Sequence, residues 1–322
     1  MTRTTITRRA ALAAGLSTLA TPAITQTVRF PERPIEIVVG FVPGGATDLD
    51  ARAFARFLEQ RLGGTVVVVN RPGAGGEVAL GTVARARPDG HTLGTTNMPG
   101  LVTIPIERQA QFRLDSFAPI ANLVTDPSAI SCHEDSPWQT LHDVIEAARR
   151  APDRITYASP GIGSDDHLQL VLLQEATGTR FVNVVFQGDP QLRTALLGKQ
   201  VDLMGLNLGP VTANPEKIRV LSQGGATRSR FRRDVPTLRE LGYPVEMASE
   251  RGLVAPAGTP PAILARLREA AADIARDPEF VRILESRFTE PLAEIGEPWF
   301  ARLRAAEQRY RELWARVPWS GR

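Results

Sequence analysis

The sequence predicts an α/β protein of two domains, each a mainly parallel sheet flanked by helices, with a ligand cleft between the domains. Three observations carry this prediction. Strand-like and helix-like segments alternate from Pro34 onward, the alternation restarts after Pro127, and the restart repeats a Pro/Gly loop of the first half. A βαβαβ pattern is typical of a parallel sheet covered by helices on both faces.

The composition is that of a globular chain without a strongly charged surface. The 322 residues suggest about two domains, and 43% of them are apolar. The formal charge is +3, but Arg3, Arg8 and Arg9 lie in the first 26 residues, and without them the basic residues equal the 35 acidic ones. The charge therefore gives no reason to expect nucleic acid or an anionic membrane as a partner, and we expect a monomer.

Residues 1–26 are predicted to be an export signal. Arg8 and Arg9 precede a short Ala/Leu/Gly stretch that ends near Ala20 and is followed by small and turn-prone residues. This stretch is too short to span a bilayer, and paired arginines are typical of bacterial twin-arginine signals. We expect cleavage after Ala23 or a few residues later, and a periplasmic mature protein. The alternative is a disordered N-terminus.

The first half of the mature chain is predicted to alternate strands and helices. The strand-forming stretches are the β-branched run at 35–41, TVVVVN at 65–70 and HTLGTTN at 91–97. Apolar residues at helical spacing predict a helix over 48–62 that stops at Gly63–Gly64. A second helix is expected over 76–86.

The second half repeats this alternation and then becomes mainly helical. Helices are predicted at 141–150, from the next Gly loop to Ala176, and at 190–197, with strands at 155–159, 181–186 and 201–208. After a strand near GLVAPAG, at 252–258, we expect helices over 261–275, 279–287 and 299–317.

Two loops share one spacing. A hydroxyl residue lies four positions after a proline and is followed by Asp: Thr47–Asp48 after Pro43, and Ser164–Asp165 after Pro160. Loops at the carboxyl ends of strands in open α/β sheets are where ligands bind. With one such loop in each domain, both should face the same cleft.

These loops are suited to an anion. A helix N-terminus offers free backbone N–H groups and a partial positive charge, and glycines let a ligand approach that backbone. Thr47 and Ser164 are expected to be N-caps, with Asp50 completing a capping box and His167 taking that place in the second loop. The predicted ligand is most simply a carboxylate. Asp48 would repel it, so we expect Asp48 to cap the helix or to bind a ligand ammonium or hydroxyl group.

Other site classes find less support. The glycines at 73–76 do not make a dinucleotide fingerprint, because Val78 occupies the third glycine place, and no Walker lysine follows a Gly loop. We expect no cofactor. The four histidines and the single Cys132 lack metal-ligand spacing, and we expect the thiol to be buried. A Ser164 hydrolase is the main rival, although no G-x-S-x-G motif is present.

Five stretches together resemble a known family, the Bug-type substrate-binding proteins of tripartite tricarboxylate transporters. They are PERPIEIVVGFVPGGATDLDAR, VVVVNRPGAGGEVALGTVARARPDGHTL, YASPGIGSDDHL, GKQVDLMGLNL and GLVAPAGTP. The resemblance implies a two-domain periplasmic binding protein fold, type II-like, that closes around a small carboxylated solute and delivers it to membrane permease subunits. A ligand-sensing module that presents its closed form to a sensor is a further alternative.

The resemblance also implies ligand contacts for specific residues. In the first loop and beside it these are Gly44, Gly45, Ala46, Thr47, Asp48 and Asn97, and in the second they are Ser159, Gly161, Gly163, Ser164 and His167. One stretch departs from the family pattern: VVFQGDP, at 184–190, has Phe186 where the family has Tyr. Gln187 and Asp189 then add other polar groups, and Asp189 either favours a cationic or hydroxyl-bearing ligand or caps a helix.

We expect the first domain to be discontinuous, formed by residues 27–124 and 226–322, with residues 125–225 as the second domain. The chain would cross between domains near Asn122 to Pro127 and near Ser222 to Ala226. Closure would be a hinge rotation about these crossings.

Overall fold

The computed structural model describes residues 30–186 and 188–320 and shows two sheets, each flanked by helices. The predicted export signal lies outside the described residues. No helix in the described ranges is both long enough and apolar enough to cross a membrane.

The helices are, in chain order, α1 (Ala46–Leu62), α2 (Glu77–Ala84), α3 (Gly100–Glu107), α4 (Leu141–Arg150), α5 (Asp165–Thr177), α6 (Asp189–Leu197), α7 (Leu208–Ala213), α8 (Pro261–Arg276), α9 (Pro278–Glu285) and α10 (Glu297–Arg316). The strands are β1 (Ile35–Val39), β2 (Val66–Asn70), β3 (Thr92–Met98), β4 (Phe117–Pro127), β5 (Ala129–His133), β6 (Thr156–Ser159), β7 (Val182–Val185), β8 (Leu203–Gly205), β9 (Ile218–Gln223), β10 (Ala248–Pro256) and β11 (Glu290–Ile295). Single turns of 3₁₀-helix cover Ala74–Gly76 and Leu114–Ser116.

The sheets are mixed, whereas the sequence predicts mainly parallel ones. The first sheet has the strand order β11-β4-β10-β3-β1-β2 and the second β7-β6-β8-β5-β9. The βαβ units give the expected parallel pairs, β1 with β2 and β3, and β6 with β7 and β8. The antiparallel pairs all involve β4, β5, β9, β10 or β11. Of these, only β10 lies on a predicted strand.

The β-branched run of β1 is explained by burial on both sides. Ile35, Ile37 and Val39 belong to one apolar cluster of the first sheet, and Val38 belongs to the other. Successive strand side chains point to opposite faces, so a strand covered on both faces needs apolar residues at every position. On one side α1 packs against α9, where the rings of Phe57 and Phe280 meet edge to face with centroids 5.5 Å apart.

The chain crosses between the sheets at two adjacent points. β4 ends at Pro127 in the first sheet and β5 begins at Ala129 in the second. The return connection ends at Met247, directly before β10. These points are joined by backbone hydrogen bonds, from Gly224 N–H to Ser128 O at 2.7 Å, from Ser128 N–H to Met247 O at 3.1 Å, and from Met247 N–H to Gly224 O at 2.8 Å.

The second crossing lies later in the chain than the sequence suggests. Leu238 and Val245 are buried in the same cluster as Ile130 of β5 and Leu141 of α4, in the second unit. Gln223 also pairs with Thr237 through an isolated parallel bridge. Leu238 and Val245 therefore pack on the second sheet, because they complete its core, although the sequence analysis assigns them to the first domain. Earlier in the same segment, Ser229 Oγ donates to Glu290 of β11 at 2.8 Å, so this segment contacts both units.

The C-terminal segment touches both units. α10 packs with Trp299 and Leu303 against the first sheet, whereas Leu313 and Trp319 contact Leu168 and Val171 of α5. The predicted cysteine burial is confirmed, since Cys132 is fully buried in the second core.

Candidate functional site

The two matched loops face each other across a narrow cleft between the sheets. One loop joins β1 to α1 and the other joins β6 to α5, and both lie at the carboxyl ends of their strands. The cavity between them holds about 30 Å³, room for about two water molecules. It is lined by Phe41, Val42, Gly45, Ala46, Thr47, Gly75, Asn97, Gly100, Pro160, Ser164, Asp165, Asp166, Gly188, Asp189, Asn207 and Arg251. We call it the inner chamber.

A larger pocket adjoins the inner chamber. It has a volume of about 260 Å³ and is lined in part by Asp50, Arg193 and Arg287. Ala46 and Asp189 line both cavities, so these two residues form the partition between them. We call this larger cavity the outer pocket.

The partition is a hydrogen bond across the cleft. The Asp189 carboxylate, at the start of α6, accepts from the backbone N–H of Ala46, the first residue of α1, at 2.8 Å. A helix N-terminus favours an anion at this place, because its first N–H groups have no partner within the helix. The first loop therefore holds a carboxylate, supplied by the chain itself.

The first loop caps α1 differently from the prediction. Gly45 is the N-cap, so Thr47 lies inside the helix, and Asp50 bonds to Arg251 instead of completing a capping box. The reason is Asp48, whose carboxylate accepts from Gly44 N–H and Arg52 Nε, both at 2.9 Å, and from the Asn70 amide at 2.8 Å. These donors hold the pKa of Asp48 below its usual range, against the opposing effect of burial.

The second loop is capped as predicted. The Ser164 hydroxyl accepts from the backbone N–H of His167 at 3.2 Å, and the His167 ring Nδ1 accepts from Gly163 N–H at 3.1 Å. The ring is fully buried, and its hydrogen bond to Gly163 helps to fix the conformation of the loop. Gly163 O accepts from Thr103 Oγ1 of α3 at 2.7 Å, which ties the loop to the first unit.

Glycines let the two units approach closely at this point. A Cβ added to Gly161 would lie 3.2 Å from the Cα of Gly75, which stands on the opposite wall. Residues with side chains at these two positions would hold the walls apart. The closed cleft therefore requires the Gly-rich segment at 73–76 as well as the second loop.

Behind the inner chamber lies a buried ionic network centred on Arg251. Its guanidinium donates to Asp50 at 3.0 Å, to Asp126 at 3.1 Å and to the Asn207 carbonyl oxygen at 2.9 Å. Asn207 in turn donates to Asp165 at 2.6 Å, and the Ser128 hydroxyl donates to the same carboxylate at 2.7 Å. The network joins α1, β4, β10 and α5, so it connects both units.

The carboxyls of this network have raised pKa values. Burial raises the pKa of Asp126 to about 7, although Arg251 and the Gly209 N–H oppose the shift. Burial also raises the pKa values of Asp50 and Asp165. Desolvation disfavours the charged form, and one arginine shared among several carboxyls offsets it only in part.

Asp166 differs from its neighbours because one of its oxygens is not hydrogen bonded. Its side chain is 1% exposed and lines the inner chamber, and Oδ1 has no hydrogen-bond partner among the described residues. Burial raises the pKa of this carboxyl well above its usual range, and Asp165, Asp189 and Asp126 raise it further. The chamber wall thus carries an uncompensated acidic group.

The structure places some predicted site residues in the lining of a cavity and others within the walls. Those that line the inner chamber are Gly45, Ala46, Thr47, Asn97, Ser164 and Asp189. Gly44 lines the outer pocket, and Gly161 lines a third cavity on the other side of the chamber. Asp48, Ser159, Gly163 and His167 are bonded within the walls, Ser159 to Asn183 at 2.8 Å. Gln187 lies outside the described residues.

Sequence reasoning missed Asp166, Asn207 and Arg251. The adjacent acids at 165–166, at a helix start inside a Gly loop, were a usable signal for the first. An arginine directly before the apolar stretch GLVAP was a weaker signal for Arg251. Asn207 gave none, because its role depends on a contact with a strand distant in sequence.

The Ser164 arrangement does not favour a nucleophile. The hydroxyl accepts from a backbone N–H, and Nδ1 of the His167 ring faces the Gly163 N–H. Activation of a serine needs a base within hydrogen-bond reach of its hydroxyl. Within the described ranges, no group of three or more His, Cys, Asp or Glu side chains is arranged to hold a metal ion.

Comparison with known proteins agrees with the resemblance seen in the sequence. The family described as "Tripartite tricarboxylate transporter family receptor" matches residues 51–303. The "UPF0065 protein in gbd 5'region" of Cupriavidus necator is 36% identical over 265 residues, which cover 81% of this chain and 80% of that protein.

Solved structures show the same architecture. The periplasmic binding protein BugD superposes with a TM-score of 0.84 at 30% identity, covering 89% of this chain and 98% of BugD. The MatC protein of Rhodopseudomonas palustris with bound malate gives a TM-score of 0.80 at 27% identity, covering 89% of this chain and 99% of that one. The predicted fold, a two-domain periplasmic binding protein, is confirmed. The chain belongs to the receptors of the tripartite tricarboxylate transporter family.

Proposed function

We propose that this chain is a periplasmic receptor that captures a small carboxylate between its two units and delivers it to the membrane subunits of a tripartite tricarboxylate-type transporter. The observation that carries the proposal is the Ala46 N–H, which already holds a carboxylate oxygen at 2.8 Å at the N-terminus of α1. A solute carboxylate would take the place of Asp189 Oδ2. The malate carried by MatC, a relative of the same architecture, supports this solute class.

The other groups of the chamber would complete the contact. Thr47, Asn97 and Ser164 line it with hydroxyl and amide groups, and Gly45 leaves space beside the Ala46 N–H. A helix N-terminus contributes about 0.3–1 kcal/mol, and micromolar affinity needs about 8 kcal/mol. Several charge-assisted hydrogen bonds must therefore add to the helix dipole, at about 1.5–3 kcal/mol each. Groups from both units can supply them only when the cleft is closed.

Closure would be a rotation about the two crossings. Backbone hydrogen bonds join Ser128, Gly224 and Met247, so the two connections between the units lie side by side and can bend together as one hinge. The 30 Å³ chamber is too small to admit a dicarboxylate without opening. The solute would enter the open form and hold the two units together.

The periplasmic location agrees with the family and with the N-terminal sequence. Residues 1–26 would act as a twin-arginine export signal, removed before the receptor meets its solute. Fusing these residues to a reporter that requires export, with Arg8→Lys and Arg9→Lys together as the variant, tests the signal. Export of the unchanged fusion and retention of the variant are expected, whereas equal export of both would contradict a twin-arginine route.

Solute capture is tested by thermal unfolding of residues 27–322, refolded to remove bound solute, against mono-, di- and tricarboxylates. A solute that binds only the folded state stabilises it by RT ln(1 + [L]/Kd), about 2.7 kcal/mol at one hundred times Kd. We expect a concentration-dependent rise of the midpoint with one carboxylate class. No rise with any carboxylate, in a protein shown to be folded, would contradict the proposal.

Gly45→Leu provides the matched variant. A Cβ at Gly45 would already lie 3.4 Å from Asp189 Oδ2, so a leucine side chain would fill the solute position. The variant should fold and lose the solute-dependent rise. A retained rise would place the solute elsewhere.

A further inference from the structure

The acidic groups around the inner chamber outnumber the cations that could compensate them. Asp50, Asp126, Asp165, Asp166 and Asp189 lie in the chamber wall or directly behind it. Arg251 pairs with Asp50 and Asp126, and Arg287 lies 3.6 Å from Asp50. Asp165 is held by Ser128 and Asn207. Arg193 of the outer pocket pairs with Glu216 at 3.2 Å. The arginines near the chamber therefore have carboxylate partners other than Asp165, Asp166 and Asp189.

Asp166 and Asp189 form no ion pair among the described residues. Asp189 reaches the Ala46 N–H, but Oδ1 of Asp166, on a side chain 1% exposed, has no hydrogen-bond partner there. Both carboxyls line the same 30 Å³ chamber. A buried carboxyl without a partner is costly, so it must bind a proton or receive a cation from outside the chain.

A metal ion is not the cation that this arrangement selects. Within the described residues the aspartates are not grouped as metal ligands, since two of them bond to Arg251 and a third to amide and hydroxyl donors. An ammonium group needs only two or three acceptors and tolerates their irregular placement. An ammonium site here would also lie next to the anion site, where a carboxylate oxygen accepts from the Ala46 N–H, so one solute could carry both groups.

We infer that this receptor selects a solute that carries an ammonium group near its carboxylate, with Asp166 and Asp189 as the anionic partners of the ammonium. The inference rests on the proposed function, because the solute carboxylate is the group that displaces Asp189 from Ala46. The displaced Asp189 carboxylate then accepts a hydrogen bond from the ammonium group on one side. Asp166 Oδ1 accepts a second hydrogen bond from the same ammonium group on the other side. A solute with a second carboxylate in place of the ammonium meets two like charges and is disfavoured.

The test is isothermal titration of residues 27–322 with probe pairs that differ only by an amino group: aspartate and succinate, alanine and propionate, 4-aminobutyrate and butyrate. In at least one pair the amino member should bind about tenfold tighter or more. Asp166→Asn, which keeps the shape and removes the charge, should reduce that ratio about tenfold. Asp202→Asn is the matched control, because Asp202 holds Thr156 within the second sheet, away from the chamber.

The outcomes separate the inference from the proposed function. If probes bind but no pair shows tighter binding of its amino member, the inference is overturned and carboxylate capture stands. An unchanged ratio in Asp166→Asn also overturns it, as expected for a protonated Asp166 that only donates to a solute oxygen. If none of the six probes binds while another carboxylate of the thermal-unfolding panel does, the inference is overturned and carboxylate capture stands; if no carboxylate of that panel binds either, both proposals fail. Should Asp166→Asn not fold by circular dichroism, Asp189→Asn carries the same expectation.

Discussion

The carboxylate of Asp189 accepts a hydrogen bond from the backbone N–H of Ala46 at 2.8 Å, although 143 residues separate them in sequence. The two residues belong to opposite walls of the cleft, so their bond joins the two walls directly. The chain's own carboxylate thereby occupies the position proposed for the solute. In the proposed function, solute binding would exchange one carboxylate for another at this N–H group.

Asp189→Ala should shift the solute-free protein towards the open form. A charge-assisted hydrogen bond contributes about 1.5–3 kcal/mol, so the closed-to-open ratio should fall about tenfold or more. Small-angle scattering of the solute-free protein should give a larger radius of gyration for the variant. Asp189→Asn keeps an acceptor oxygen, so its radius of gyration should lie between those of the unchanged protein and Asp189→Ala. Equal radii for all three proteins would show that this bond does not hold the cleft closed.

Arg251→Met should destabilise the protein strongly. Removing the guanidinium leaves Asp50 and Asp126 buried without their cation, which costs about 3–5 kcal/mol. Urea unfolding at neutral pH measures the loss. The matched control is Arg52→Met, whose ion pair with Asp48 is half-exposed on the arginine side and should contribute at most about 1 kcal/mol. Similar losses in the two variants would contradict the role assigned to the network.

Stability should fall as the pH rises through neutrality. The pKa of Asp126 is raised to about 7 in the folded protein from an ordinary value of 3.8, so the folded state binds more protons between these values. The resulting stabilisation is fully present below about pH 3.8 and is lost as the pH passes about 7. Asp50 and Asp165, whose pKa values are also raised, act in the same direction.

The unfolding midpoint of the unchanged protein should therefore be higher at pH 5.5 than at pH 8, once the common effect of other groups is subtracted. Asp126→Asn removes one of the titrating carboxyls and serves for that subtraction. Its midpoint should vary less over the same range. An identical slope in both proteins would mean that Asp126 stays ionised when folded.

Gly224→Ala should disturb the connections between the units. An added Cβ would lie 2.3 Å from the Met247 carbonyl oxygen and 2.7 Å from the Gln169 side chain, so the crossing strands must move apart. We expect a loss of about 1–3 kcal/mol in the free energy of unfolding. Gly100→Ala, whose added Cβ would lie 3.8 Å from Ile104 Cδ1, should change the free energy of unfolding by less than about 1 kcal/mol. Equal effects would indicate that the crossings can adapt.

The local elements follow from the sequence because their causes are local. α4 has the predicted bounds, Leu141–Arg150, and begins with a Thr140 capping box. The Ser164 cap and the parallel pairs of β1 and β6 follow in the same way from hydroxyl, glycine and β-branched positions. Periodicity and capping act within a few residues, and so they can be recognised in a single sequence.

The strands that form antiparallel pairs were harder to predict from the sequence than the parallel ones. β4 and β11 pair with each other, but they are more than 160 residues apart, and each looks like a connecting segment by itself. Non-local contacts also determine where the second crossing lies, since Leu238 and Val245 join the second core only through contacts with residues distant in sequence. Non-local pairing depends on complementary partners, which local patterns do not specify.

For the candidate site, the sequence by itself determined two Gly-rich loops of equal spacing, the helices that follow them and the residue types around them. Only the tertiary structure decided that Asp189 meets Ala46, that Arg251 is committed to Asp50 and Asp126, and that Asp166 has an oxygen without a partner. The physical reason is that a helix start is set by neighbours in the chain. The charge balance of a buried cleft depends instead on which distant side chains the fold brings out of water together.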